Sequence, residues 1–168
     1  VGLVPVEAGV NLVCRHVAAG LPVPPPGYGG IERVIAVLCD ELVGRGHDVT
    51  LFAVAGSHTR ARLVTPVDRP PHPDDPEAVL TEAVHTLGPF LRSGDFDVIH
   101  DHTRLGPALA AMLRHGPPVV HTVHGPWTEQ AHRYLATVRD RVSLVAISHA
   151  QAAAGPDLGY EAVVHNGI

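Results

Sequence analysis

The sequence predicts an α/β domain with a doubly wound, mostly parallel sheet flanked by helices. Three observations lead there. Short apolar runs alternate with amphipathic stretches along the chain. The runs are β-branched and apolar on both faces, as strands covered by helices on either side must be. Polar residues and glycines gather where the runs end, on what becomes one edge of the sheet. Right-handed strand–helix–strand crossovers join these pieces into one domain over residues 1–168.

Val10–Cys14 is the first β-prone run. A Pro/Gly-rich loop, Leu21–Gly30, follows it. Ile31, Val34, Ile35, Leu38, Leu42 and Val43 then recur at helical spacing, so one stripe of Gly30–Arg45 faces a core. Gly44, Gly46 and His47 close that helix, and Val49–Val54 is the second strand. The proline density of Arg60–Pro76 predicts an exposed loop. Pro76 can open the next helix, where Val79, Leu80, Ala83, Val84, Leu87 and Leu91 keep the 3.6-residue period. Phe96–His100 is a third strand, Leu105–Arg114 a short helix, and Val119–Val123 a fourth strand. Trp127–Arg141 is helical, with Ala131, Tyr134, Leu135 and Val138 on one face. Ser143–Ile147 is a fifth strand, a short Ala-rich helix follows, and Ala162–His165 is the last strand.

Composition narrows the function. A chain of 168 residues can bury a sizeable core. A hydrophobic share of 45% against 17% charged excludes a disordered chain. The formal net charge is -5 and all 12 basic residues are Arg, which argues against a phosphate-tracking face and a nucleic-acid partner. No apolar run approaches the roughly 18–20 residues that span a bilayer, so no transmembrane segment is expected. No secretory signal pattern is present. Cys14 and Cys39 form no CxxC pair, so neither a disulfide scaffold nor a thiolate metal site is expected and a cytoplasmic location is the default. Arg-only, Ala/Val/Gly/Pro-rich usage fits a GC-rich bacterial genome.

The candidate site follows from the run ends. Gly29 and Gly30 immediately precede a helix, where first-turn N–H groups and the helix dipole favour an anion, a diphosphate being the natural occupant. Neither a P-loop nor a full GxGxxG is present, and the pair alone could be a tight turn. Glu32 could complement the dipole. The third run ends in His100-Asp101-His102 and the fourth in His121-Thr122-Val123-His124-Gly125. Strand alternation puts His121 and Val123 on one face, Thr122 and His124 on the other. A histidine at such an edge can be a satisfied hydrogen-bonding residue or a donor to sugar hydroxyls or an anion. The same cluster could hold zinc or another transition ion. Ser148 lacks the glycines of a nucleophile elbow, which counts against a Ser/His/Asp hydrolase. His47, His72, His85 and His115 receive no role.

The order of motifs then carries a resemblance. It runs Gly29-Gly30-Ile31-Glu32-Arg33, Arg45–Leu51, Phe96–His102, Val120–Gly125, Ala146-Ile147-Ser148 and Val164–Ile168. This resembles the N-terminal, Rossmann-like half of family 4 glycosyltransferases, retaining two-domain enzymes of the GT-B fold. The resemblance implies an acceptor-binding domain that closes over a nucleoside-diphosphate sugar held mostly by a C-terminal domain. It implies that Gly29 and Gly30 approach the donor diphosphate and that His124 contacts the donor sugar as the catalytic residue. Glu32, His100, Asp101, His102 and Ser148 would line the cleft, and Asn166-Gly167 would lie where the chain crosses to the second domain. No metal or other cofactor is implied. Peripheral membrane attachment stays compatible with a cytoplasmic location.

Two departures from the family accompany it. The C-terminal donor domain is absent from these 168 residues, so the chain alone is expected to fold without efficient transfer. Val1–Gly9 is either an irregular extension or contains the true first strand, Val1–Val6. The alternative functions are a non-catalytic nucleotide- or sugar-binding domain and, behind it, a metal-dependent hydrolase built on the histidines.

Overall fold

The computed structural model describes residues 9–15, 21–68 and 74–167. The expectation for Val1–Gly9 therefore lies, except for Gly9, outside the described residues.

Among the described residues, seven strands form one parallel sheet. They are β1 (Asn11–Arg15), β2 (Asp48–Phe52), β3 (Arg62–Val64), β4 (Val98–Asp101), β5 (Val119–Val123), β6 (Ser143–Ala146) and β7 (Ala162–Val163). Their spatial order is β3-β2-β1-β4-β5-β6-β7. The helices are α1 (Gly30–Gly44), α2 (Ala78–Leu91), α3 (Gly106–Met112), α4 (Glu129–Val138) and α5 (His149–Ala154). The doubly wound architecture expected from the sequence is the one observed.

Local chemistry explains the boundaries. Gly46, at φ 87°, lets the chain turn back so that the His47 N–H reaches the Leu42 carbonyl and ends α1. Thr128 accepts the Ala131 N–H and Ser148 accepts the Gln151 N–H, capping α4 and α5. The Thr128 cap moves the start of α4 two residues beyond Trp127. A 3-10 turn over Arg139–Arg141 completes the predicted helix.

Two apolar layers cover the sheet. Val23, Ile35 and Cys39 pack with Val49, Leu51 and Ala53 in one; Phe52, Phe90, Ile99, Leu135 and Leu144 lie in the other. The alternation of Leu51 and Phe52 between layers is the strand period read directly. The segment expected to be loop from Arg60 instead contributes β3, which pairs with β2 through Thr50–Arg62, Leu51–Leu63 and Phe52–Val64. A three-residue edge strand among Arg and Pro residues leaves little periodic signal. In α2 the period holds but its apolar stripe looks outward. Val79, Leu80, Val84 and Leu91 are exposed, while Glu82, His85, Thr86 and Phe90 are buried.

Candidate functional site

The numbering of the strands reverses between β1 and β4. From β1 the chain crosses towards β2; from β4 it crosses towards β5. A crevice opens at the carboxyl ends of the strands at such a point. The N-terminus of α1 stands on one side of it, because α1 follows β1. The ends of β4, β5, β6 and β7 stand on the other side. The topology therefore brings Gly29, Gly30, His100, His102, His124 and Ser148 to one edge of the sheet.

On the glycine side the two residues differ. Gly29 has φ 150°, and a Cβ there would lie 2.7 Å from Pro25 Cγ and 2.9 Å from Glu32 Oε2. The loop itself requires this glycine. Gly30 is exposed and a Cβ on it would meet nothing within 4 Å. Glu32, predicted at the cleft, is buried, with its carboxylate against Gly29. The loop ahead of them is pinned to the end of β2: the Val23 N–H donates to Ser57 Oγ at 2.9 Å, and Val23 is wholly buried. Arg33 reaches back to the Gly27 carbonyl at 2.8 Å.

The histidine side sorts onto two faces, as strand alternation predicts. His100 Nε2 lies 2.8 Å from Thr122 Oγ1, and His102 Nδ1 lies 2.9 Å from His124 Nε2. The three rings form a tilted stack, with centroids 4.3 Å apart from His100 to His102 and 5.1 Å from His102 to His124. His149 and His165 touch edge to face at 5.4 Å, at the ends of β6 and β7. Burial holds the His100 imidazole down to about 4, against a weaker opposing pull from Asp101 and with a further lowering by His121. His100 is therefore neutral near pH 7.

Asp101 and His121 occupy the other face. Asp101 is fully buried rather than open to the cleft. Its Oδ1 accepts the Thr103 hydroxyl at 2.9 Å, and its Oδ2 accepts the Thr103 N–H at 3.2 Å and faces His121 Nδ1 at 2.8 Å. When ionised, the Asp101 carboxylate only accepts, so this contact favours the His121 form with its proton on Nδ1. Thr103 in turn accepts the Gly106 N–H at 2.9 Å. The Ser148 oxygen accepts the Gln151 N–H as the α5 cap. Both Asp101 and Ser148 thus hold the edge together, a use that their position in the sequence does not distinguish from ligand contact.

Several residues that carry this edge have no mark in the sequence. Glu82 on α2 pairs with Arg104 through both carboxylate oxygens, at 3.2 and 2.5 Å. Tyr134 donates to the Arg104 carbonyl at 2.8 Å and accepts the Ala108 N–H at 3.0 Å. Gln151 accepts the Ile147 N–H and donates to the Val123 carbonyl, tying β5 to β6. Apart from the local Gln151–Ile147 bond, each link joins residues far apart in the chain. Asp101 and His121 sit on one face and His100, His102 and His124 on the other, and no group of three potential ligands converges among the described residues.

The model of Glycosyltransferase Family 4 matches residues 28–168. The chain belongs to glycosyltransferase family 4. Solved GT-B glycosyltransferases share its fold. HepE of Anabaena, crystallised with UDP and glucose, is 15% identical with a TM-score of 0.60, over 95% of this chain and 45% of that one. HepE with UDP-glucose gives 15% and 0.61, over 95% and 44%. AviGT4, a glycosyltransferase involved in avilamycin A biosynthesis, is 27% identical with a TM-score of 0.59, over 93% and 41%. The chain thus spans less than half the length of these relatives. No curated protein gives a match. Within the family 4 match lie Gly29, Gly30, the whole histidine stack and Ser148. The helices of the described residues include none long and apolar enough to cross a membrane.

Proposed function

We propose that this chain is the acceptor-binding half of a retaining glycosyltransferase that moves a sugar from a nucleoside-diphosphate sugar to an acceptor. The observation that carries the reading is the reversal of strand order between β1 and β4, flanked by the start of α1 and by the stacked imidazoles. The UDP and UDP-glucose held by HepE support a diphosphate sugar as the ligand class. A second domain supplies most of the donor contacts and closes over this edge.

Glycosyl transfer passes through an oxocarbenium-like state with a departing diphosphate. Gly30 leaves the first-turn N–H groups of α1 open to that diphosphate. Those groups and the helix dipole stabilise the negative charge that develops on it. His124, half-buried at the end of β5, meets the donor sugar near the reacting carbon. His100 and His102 floor the cleft beside it. Glu32 backs Gly29, Asp101 supports the rim from beneath, and Ser148 fixes the start of α5. Charge on the leaving group is met by N–H donors, so the reading assigns no resident metal. Closure of the second domain excludes the water that would hydrolyse the donor.

Calorimetric titration of a panel of nucleotide sugars against the complete two-domain protein, followed by a transfer assay, tests this. Binding with transfer is expected, and His124→Ala should lower kcat/KM by about 100–1,000-fold, the range of one lost transition-state contact. Binding without transfer to any acceptor assigns the non-catalytic binding domain instead. Wild-type activity in a folded His124→Ala variant removes that residue from the reaction.

A further inference from the structure

We infer that His102 is a positioning residue that clamps the His124 ring, so that the two imidazoles act as one unit sharing a single bridging proton. The role given to His124 rests on the proposed function; the clamp itself does not.

The geometry is specific. His102 Nδ1 and His124 Nε2 are 2.9 Å apart, a full hydrogen-bond contact between two ring nitrogens. Such a contact accommodates one proton between the rings. Two would set N–H against N–H and break it, so the pair carries zero or one positive charge while intact. His102 is buried, and the outer nitrogens, His102 Nε2 and His124 Nδ1, are withdrawn from solvent as well. The bond is part-buried, which limits competition from water.

What holds His102 is the best-braced turn of the edge. It follows Asp101, whose carboxylate is fixed by Thr103 and His121. It is two residues from Arg104, which is tied to α2 by Glu82 and to α4 by Tyr134. His100 stacks beneath it at 4.3 Å and is itself bonded to Thr122. His124 stands just past the end of β5 at Val123, and Gly125 and Pro126 beyond it are exposed. A ring at the end of a strand, followed by a glycine, samples several rotamers unless a partner fixes it. The His102 ring supplies such a partner.

Histidine 15N NMR on this chain tests the clamp without reference to activity. A through-hydrogen-bond coupling between His102 Nδ1 and His124 Nε2 is expected. In His102→Phe the His124 ring should shift towards an averaged tautomer pattern. Absence of the coupling, together with an unchanged His124 ring in that variant, overturns the inference.

Kinetics of the complete two-domain protein then test its use. His102→Phe should lower kcat about as much as His124→Ala, with the double variant no worse than either alone. His102→Asn, whose amide can occupy the place of Nδ1, should recover most of the loss. Additive losses, or Asn as poor as Phe, overturn the positioning role. A neutral His124→Ala beside an intact N–N coupling overturns the sugar contact and leaves the clamp standing.

Discussion

The imidazole side of the strand edge is tied to α2, α3 and α4 by side chains, whereas the glycine side is held mainly by its own loop and the end of β2. Around His102 the ties are Asp101–Thr103, Thr103–Gly106, Glu82–Arg104 and Tyr134 to the backbone at Arg104 and Ala108. Around Gly30, among the described residues, they include Val23–Ser57 and Arg33–Gly27, with Tyr28 left 96% exposed between them. On the proposed function, side-chain chemistry needs fixed donors and falls where long-range bonds hold each group, while backbone chemistry needs clear access and falls at Gly30, where a Cβ would meet nothing within 4 Å. The contrast predicts that substitutions on the first side cost stability and that the best-placed substitution on the second costs only binding.

The largest effect is expected at Gly106. A Cβ there would fall 2.1 Å from the Asp101 carboxylate. The carboxylate must leave, and Thr103 and His121 lose their partner with it. Gly106→Ala should lower unfolding free energy by about 3 kcal/mol or more, the combined scale of overpacking and a broken buried network. Denaturant unfolding measures it. A loss below about 1 kcal/mol would break the contrast between the two sides.

Acid should reveal the same side next. His100 binds its proton near pH 4 when folded and near 6.5 when unfolded. Between those values the unfolded chain takes up the proton and the folded chain does not. Stability contributed here is full above about pH 6.5 and falls as pH drops towards 4, by at most about 3 kcal/mol. His100→Gln removes the titrating group, so its unfolding midpoint should depend less steeply on pH over that window. An unchanged slope would show that His100 is not the group that senses acid.

How much of this was legible in the sequence follows the range of the forces. Strand alternation places Thr122 and His124 together on one face of β5, and the structure pairs them with His100 and His102. Glycines near helix ends and the apolar runs mark the helices and strands to within a few residues. The exceptions are instructive. Arg62–Val64 is a strand because β2 offers it a parallel partner, which no local pattern announces. In α2 the period was readable but the buried face was not. Glu82, His85 and Thr86 face inward, Glu82 because Arg104 meets it. Asp101 reads as a cleft residue until Thr103, His121 and the start of α3 are folded around it. Its role depends on bonds to a different strand, and sequence position carries no record of them.

The glycine side gives the two smaller stability effects, and they separate structure from ligand. Gly29→Ala places a Cβ at φ 150° and 2.7 Å from Pro25, so it should cost about 1–2 kcal/mol by strain alone. Gly30 has ordinary φ and open space around it. Gly30→Val should leave the unfolding midpoint unchanged within about 0.5 kcal/mol, since valine is no worse than glycine in a helix. A branched side chain there nonetheless stands between the first-turn N–H groups and any diphosphate. In the complete two-domain protein, donor affinity measured by calorimetry should fall about tenfold or more, the scale of losing one charge-assisted hydrogen bond. Because the fold is indifferent to residue 30, that loss has only a ligand to report. Unchanged donor affinity in a fully folded Gly30→Val protein would mean that the glycine side is a turn and nothing more, and the chemistry of the edge would then rest on its imidazoles.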